Sequence, residues 1–274
     1  MQEFDRTTPV TVALRAQRGR VDIVAADNAA VQVNVVPLES SEAAEEAARN
    51  TQVALEGDTL YIQTPHASGW QWRRSPRLGI TVRVPTGSSI AAKTAAADVR
   101  ATGRYAVAQV DLASGDAWLD EVTGDAQVKS ASGDVTVGRI GGALRVNSAS
   151  GDLDIGDVNG DVMADAASGD IAIRSVGGSL KAGTASGDVK IGVVRRGQTS
   201  LKSASGDIEV GVAAGTGVWL DISTASGSTH NDLSMGPNGA PAPGQQAAAL
   251  ELRVRTASGD IHIRRVTGEV AAAA

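Results

Sequence analysis

Ala-Ser-Gly-Asp returns every eighteen residues, at Ala113, Ala131, Ala149, Ala167 and Ala185, and a Gly falls midway between copies, so the underlying period is nine. A repeat of this kind specifies a stack of equal coils, each touching only its neighbours. Counted from each Gly as zero, offsets two and four are apolar and offset seven is apolar or small: Val135, Val137 and Ile140 after Gly133, then Leu144, Val146 and Ala149 after Gly142. That is strand alternation followed by a corner. Aromatic residues are only 3% of the chain and Gly numbers 32, so the interior has to be built from Val, Ile, Leu and Ala.

The predicted fold is all-β: a parallel β-solenoid of about eighteen-residue, two-sheet coils, right-handed by the general preference of parallel crossovers. Its regular part is expected over residues 88–274, with a Pro- and Gly-rich insertion at about 228–249. The two corners of each coil differ. Offset seven is Val or Ile at one (Val122, Ile140, Val158, Val176, Val194) and Ala at the other (Ala131, Ala149, Ala167, Ala185, Ala204), which predicts a thick edge and a pinched one, both with these side chains inward. At the pinched corner Ser-Gly makes the turn, with Gly supplying a positive φ.

Residues 1–87 form the other part, a less regular, strand-rich N-terminal region continuing the sheets with wider coils and capping one end. Strand-like pieces run Val10 to Leu14, Val21 to Val24, Val31 to Val36, Val53 to Leu55, Leu60 to Ile62 and Ile80 to Val84. Ser40 to Asn50 reads as one short helix with Ser40 or Ser41 as N-cap. A cap is needed because a bare solenoid end exposes unpaired strand edges.

The repeat places a column of turn residues along the pinched corner: Gly115 and Asp116, Gly133 and Asp134, Gly151 and Asp152, Gly169 and Asp170, Gly187 and Asp188, Gly206 and Asp207, Gly259 and Asp260, with Asp98 in line. Stacked carboxylates about 5 Å apart repel by roughly 0.8 kcal/mol even in water, so something must offset them. Turn amides donating to each Asp suffice. A calcium column is disfavoured, because nonapeptide calcium rolls use a longer Gly-Gly-x-Gly-x-Asp loop where this chain has only Ser-Gly between strands.

Little else is reactive. With 25 Lys and Arg against 31 Asp and Glu the formal charge is −6, which disfavours nucleic-acid binding. There is no cysteine, hence no disulfide framework and no thiolate metal site. His66, His230 and His262 are the only histidines; His262 falls at offset three, facing solvent, and His66 and His230 fall in loop-like sequence, so neither a catalytic triad nor metal-ligand spacing is read, and no cofactor is expected. Outward carboxylates such as Asp120, Glu121, Asp154 and Glu209 are the raw material of a polysaccharide-active site, but solenoids expose carboxylates for solubility anyway. The candidate binding patch is Trp70, Trp72, Arg73, Arg74 and Arg77, because Trp and Arg are common binding anchors; the alternative is that both Trp fold back over the solenoid. Trp118 and Trp219 fall outward and mark a second surface or lie under loops.

The Ser-Gly-Asp repeat, the strand-rich entry and the segment Gly19-Arg20-Val21-Asp22-Ile23 together resemble the bacterial "putative adhesin" family, domain of unknown function 4097 or toastrack domain, over nearly the whole chain. The resemblance implies β-solenoid modules tied to bacterial envelope-stress systems as sensing and scaffolding parts, and brings no catalytic residues. The expected function is a non-enzymatic interaction or scaffold module with a protein partner. A cell-surface adhesin or glycan binder is the alternative, and a polysaccharide-active enzyme a third reading. No apolar run approaches a membrane span and no signal-peptide core follows Met1, so the expectation is a cytoplasmic protein, or a mature form cut from a secreted precursor. The C-terminal edge after Gly268, Glu269 and Val270 carries no evident cap, so end-to-end pairing of two copies is expected there.

Overall fold

The computed structural model describes residues 1–65, 75–233 and 249–266. The chain divides into two compact units, Met1–Gly142 and Ala143–Ala274, and the irregular N-terminal strands share the first unit with regular coils. Both units are parallel β-solenoid in construction.

In the first unit the ladder begins at β2 (Thr11–Ala26), one coil before the sequence period becomes visible. Its two halves pair in parallel with the two halves of β7 (Ser89–Tyr105), Val12 opposite Ile90 and Val21 opposite Val99. Two strand pieces read separately from the sequence are thus one strand with a corner. Gly19 makes that corner at φ 128°, where a Cβ would lie 1.9 Å from the Leu78 carbonyl oxygen. The next coils are β8 (Ala108–Ser114) with β9 (Ala117–Val122), and β10 (Ala126–Ser132) with β11 (Val135–Ile140). Each strand pairs in parallel with the one eighteen residues on, Val110 with Val128 and Leu119 with Val137. The alternate residues Val110, Leu119, Val128 and Val137 are at most 1% exposed. Burying each such side chain stabilises the fold by about 1.5–3 kcal/mol.

On the far side of β2 the chain departs from the expected wider coils. After β3 (Val31–Pro37), α1 (Glu42–Arg49) and β4 (Gln52–Glu56) come β5 (Thr59–Gln63) and β6 (Leu78–Pro85), which continue the two sheets in parallel. β4 then pairs antiparallel with β5, β3 antiparallel with β6, and β1 (Gln2–Phe4) antiparallel with β3. Reversing direction ends the solenoid geometry, because an antiparallel neighbour cannot template another coil. The helix forms where alanines and glutamates concentrate, its first turn capped by Ser41, whose hydroxyl accepts the Ala44 amide, and Ala44 is its buried contact.

The second unit carries β12 (Leu144–Ser150) and β13 (Leu153–Val158), β14 (Val162–Ser168) and β15 (Ile171–Val176), β16 (Leu180–Ser186) and β17 (Val189–Val194), then β18 (Gly197–Ser205) and β19 (Ile208–Ala213). Pairing follows the eighteen-residue step, Leu144 with Val162 and Leu153 with Ile171, until one added residue near Arg196 makes it nineteen, Ala182 opposite Leu201. Beyond β19 the coils are not in chain order. β20 (Val218–Ser226) and β21 (Thr229–Asn231) come next in sequence, but β22 (Leu250–Ser258) lies between β18 and β20, and β23 (Ile261–Val266) lies between β19 and β21. The C-terminal strands are therefore paired on both sides, and the outermost coil of this unit is residues 218–231. This corrects the expectation of a free C-terminal edge at β22 and β23; residues 267–274 lie outside the described residues.

One positional expectation also changes. At the Val and Ile corners offset seven is inward, with Val122, Ile140, Val158, Val176 and Val194 at most 1% exposed. At the other corner the alanines Ala131, Ala149, Ala167, Ala185 and Ala204 are exposed, and the preceding residues Ser130, Ser148, Thr184 and Ser203 are buried instead. Strand alternation simply runs on through offset six. A hydroxyl fits there because it reaches turn carbonyls: Ser148 Oγ donates to the Ser150 oxygen at 3.1 Å and Ser203 Oγ to the Gly187 oxygen at 3.2 Å.

Candidate functional site

The aspartates of the turn column hold the coils together one amide at a time. In the first unit Asp98 Oδ1 accepts the Asp116 amide at 3.1 Å and Asp116 Oδ1 accepts the Asp134 amide at 3.0 Å. In the second, Asp152 accepts from Asp170, Asp170 from Asp188 and Asp188 from Asp207, each at 2.8 Å, then Asp207 from Asp260 and Asp260 from Ser228, each at 2.7 Å. The Ser228 amide holds the Asp260 carboxyl below the usual carboxylate range. The outermost coil carries Ser228 where the others carry Asp, and a position with no further amide to receive needs no carboxylate. Gly206, at φ 144°, shows why the column demands glycine: a Cβ would sit 2.0 Å from the Gly187 oxygen.

Of the binding patch read from the sequence, Trp70, Trp72, Arg73 and Arg74 lie outside the described residues, as does His66. Arg77 is exposed just before β6, its carbonyl accepting the Leu38 amide at 2.9 Å. The outward tryptophans are placed on the sheets. Trp118 on β9 stands opposite Arg100 on β7, whose guanidinium carbon lies 4.8 Å from the ring centroid. Trp219 on β20 is 49% exposed, and Arg253 on β22 covers its ring at 5.6 Å. Both distances lie within cation–π range, which attracts each arginine to the ring it covers.

Three of the four outward carboxylates considered for glycan chemistry are engaged elsewhere, and the fourth, Asp154 on β13, is solvent-exposed. Glu121 pairs with Arg104 at 3.4 Å, and Asp120 Oδ2 accepts the Gly103 amide at 3.0 Å. Glu209 sits between Arg264 at 2.7 Å and Lys190 at 3.4 Å. Partial burial pushes its carboxyl up, but those two cations outweigh this and hold it below the ordinary value.

The cluster that sequence reading missed is His230, Asp232 and His262. His230 is not in a loop but on β21, directly opposite His262 on β23. Their rings meet edge to face with centroids 5.1 Å apart. Asp232 lies between them, Oδ1 at 2.8 Å from His230 Nε2 and Oδ2 at 3.2 Å from His262 Nε2. The hydrogen bond from His262, helped by His230, keeps the Asp232 carboxyl low. A signal for the pairing exists in the sequence, since His230 stands three residues after Gly227 and His262 three after Gly259. Equal offset from the turn glycine means the same place in the coil.

No helix among the described residues is long and apolar enough to cross a membrane. No curated protein matches the sequence. Among solved structures, a "putative adhesin" from Bacteroides fragilis NCTC 9343 aligns at 12% identity over 96% of this chain and 95% of that one, with a TM-score of 0.45. A "putative cell adhesion protein" from Clostridium sporogenes ATCC 15579 aligns at 11% identity over 94% and 93%, with a TM-score of 0.24. The family model described as Toastrack DUF4097 matches residues 12–264. With the turn repeat, the parallel coils and a match running almost from end to end, the chain belongs to the Toastrack DUF4097 family.

Proposed function

We propose that this protein is a non-enzymatic interaction module, a β-solenoid scaffold that displays binding side chains on flat outward faces to a protein partner in bacterial envelope-stress signalling. The observation that carries this reading is Trp219, half exposed on an outermost strand and overlaid by Arg253. Trp and Arg dominate the energetics of protein interfaces, and a ring held on a sheet loses little freedom when a partner covers it. Family membership supports the fold that presents it.

The test uses the full chain as bait in extract from its native cell, comparing wild type with Trp219→Ala and with the segment Trp70–Arg77 replaced by a Gly-Ser linker. Truncating a central anchor costs about 2 kcal/mol or more, roughly thirtyfold in affinity. Recovery of one partner by wild type and its loss from either variant supports the module. An identical partner set for all three removes both surfaces from the function.

The same exposed indole favours one second reading, a glycan-binding adhesin, because a flat aromatic on a sheet is also a stacking platform for sugar rings. A glycan array separates the two. Sugar binding that disappears in Trp219→Ala, together with localisation at the cell surface, replaces the protein-partner reading.

A further inference from the structure

We propose that His230, Asp232 and His262 form a binding site for a divalent transition cation of the zinc class, which clips the outermost strand β21 onto β23. The three side chains offer two imidazole nitrogens and one carboxylate, a donor set that suits zinc and its first-row neighbours rather than calcium or magnesium. Their ligand atoms all lie within 4.8 Å of one another. Zinc bonds of 2.0–2.1 Å in tetrahedral array place ligand atoms about 3.3 Å apart. The Asp232 oxygens already stand 2.8 and 3.2 Å from the two Nε2 atoms, close to that spacing, and the widest pair of the set, at no more than 4.8 Å, closes by about 1.5 Å or less through rotation of exposed side chains.

The donors are also pre-positioned. His230 and His262 are direct cross-strand partners, so the ladder fixes their spacing. Asp232 is held by its amide donating to the Ile263 oxygen at 2.9 Å, and the chain turns immediately after it, the Leu233 amide donating to Asn231 Oδ1 at 3.0 Å while the Leu233 side chain is buried. Such support is what separates a site from three polar groups that happen to meet. Without a cation the carboxylate can only accept, so each imidazole carries its proton on Nε2; binding shifts that proton to Nδ1 and frees Nε2 as ligand. The side chains of His230, Asp232 and His262 are 70%, 47% and 46% exposed, which leaves the remaining coordination position open to solvent. Glu209, opposite His262 on β19, is not part of the set, because Arg264 and Lys190 occupy its oxygens.

Untagged full-length protein, stripped with chelator, is titrated with zinc chloride by calorimetry, and cobalt(II) is followed by visible absorption. The proposal expects one zinc per chain, a cobalt spectrum of low coordination number, and at least about tenfold weaker binding in His262→Asn and in His230→Asn. Circular dichroism confirms that each variant keeps its strands. Glu209→Gln serves as the control and retains wild-type affinity. Zinc binding unchanged in both histidine variants, or no stoichiometric binding by wild type, overturns the proposal and leaves a hydrogen-bonded cluster. Hydrogen exchange adds a second readout: zinc slows the amides of Thr229–Leu233 in wild type and not in His262→Asn, and equal protection with and without zinc also overturns it.

Discussion

The last regular coils of the two units meet the edge problem in opposite ways. In the first unit β2 is covered on its far side by β5 and β6, then by antiparallel β4 and β3, and its inward residues Val12, Leu14, Val21 and Ile23 are all 0% exposed. In the second unit β20 and β21 have one strand neighbour each among the described residues, and Val218, Leu220 and Ile222 are only half-buried. The first edge is written in irregular sequence because ending a ladder requires side chains and strand directions that the repeat does not contain. The second is nearly a repeat unit left outermost, and its local stability is correspondingly low.

The sharpest test of that contrast substitutes equivalent turn glycines. In Gly206→Ala the new Cβ meets the Gly187 oxygen at 2.0 Å with strands paired on both sides, so destabilisation above about 3 kcal/mol is expected. Gly227→Ala meets the Gly259 oxygen at 2.1 Å, but its coil is outermost and free to lift, so most of the loss is local. Denaturant melts that put the two variants at the same midpoint would break the comparison. Next comes Leu14→Ala against Leu220→Ala: about 2–5 kcal/mol is expected for the first and about 1 kcal/mol or less for the second, again from denaturant midpoints. Equal losses would mean that β20 is as well covered as β2.

A smaller effect comes from Tyr105, which is fully buried with its hydroxyl 2.8 Å from the Ile23 oxygen and 2.9 Å from the Thr102 oxygen. Burial pushes the phenol well above its usual range, so it stays protonated and able to donate. Tyr105→Phe leaves these carbonyls short of a donor and is expected to cost about 1–3 kcal/mol, while removing no burial elsewhere. The smallest effect is on pH dependence. The folded-state value of Asp260 is depressed, so its contribution is present above the ordinary carboxylate range and fades as pH falls through the lower folded value. Asp260→Asn should flatten the acid side of the stability profile below about pH 4, and an unchanged profile would show that the Ser228 amide contributes nothing.

Most of the coil was legible because a nine-residue period with strand alternation has few other physical solutions. Val135, Val137, Leu144 and Val146 are buried where the offsets place them. Ala149 is exposed and Ser148 buried, against the inward placement expected of offset seven, because strand alternation continues to offset six and a hydroxyl beside a turn finds a carbonyl and tolerates burial. Coil order beyond β19 was not legible from periodicity, which is blind to which copy neighbours which. The one clue is chemical, since Ser228 breaks the aspartate column and so belongs at its limit. The pairing of His230 with His262 is hidden for the same reason: thirty-two positions separate them, His230 falls inside the stretch expected to be an insertion, and only the pairing of β21 with β23 joins them.

The placement of residues 250–266 between two earlier coils has a consequence for the nascent chain. Ribosomes deliver residues 218–231 first, while the edges of β18 and β19 stand vacant and the strands destined to fill them are still being synthesised. Native assembly of this segment therefore cannot proceed as simple sequential winding; it finishes only when the last strands arrive and wedge themselves in. A ribosome-stalled chain halted at residue 249 would hold β20 and β21 without their native neighbours.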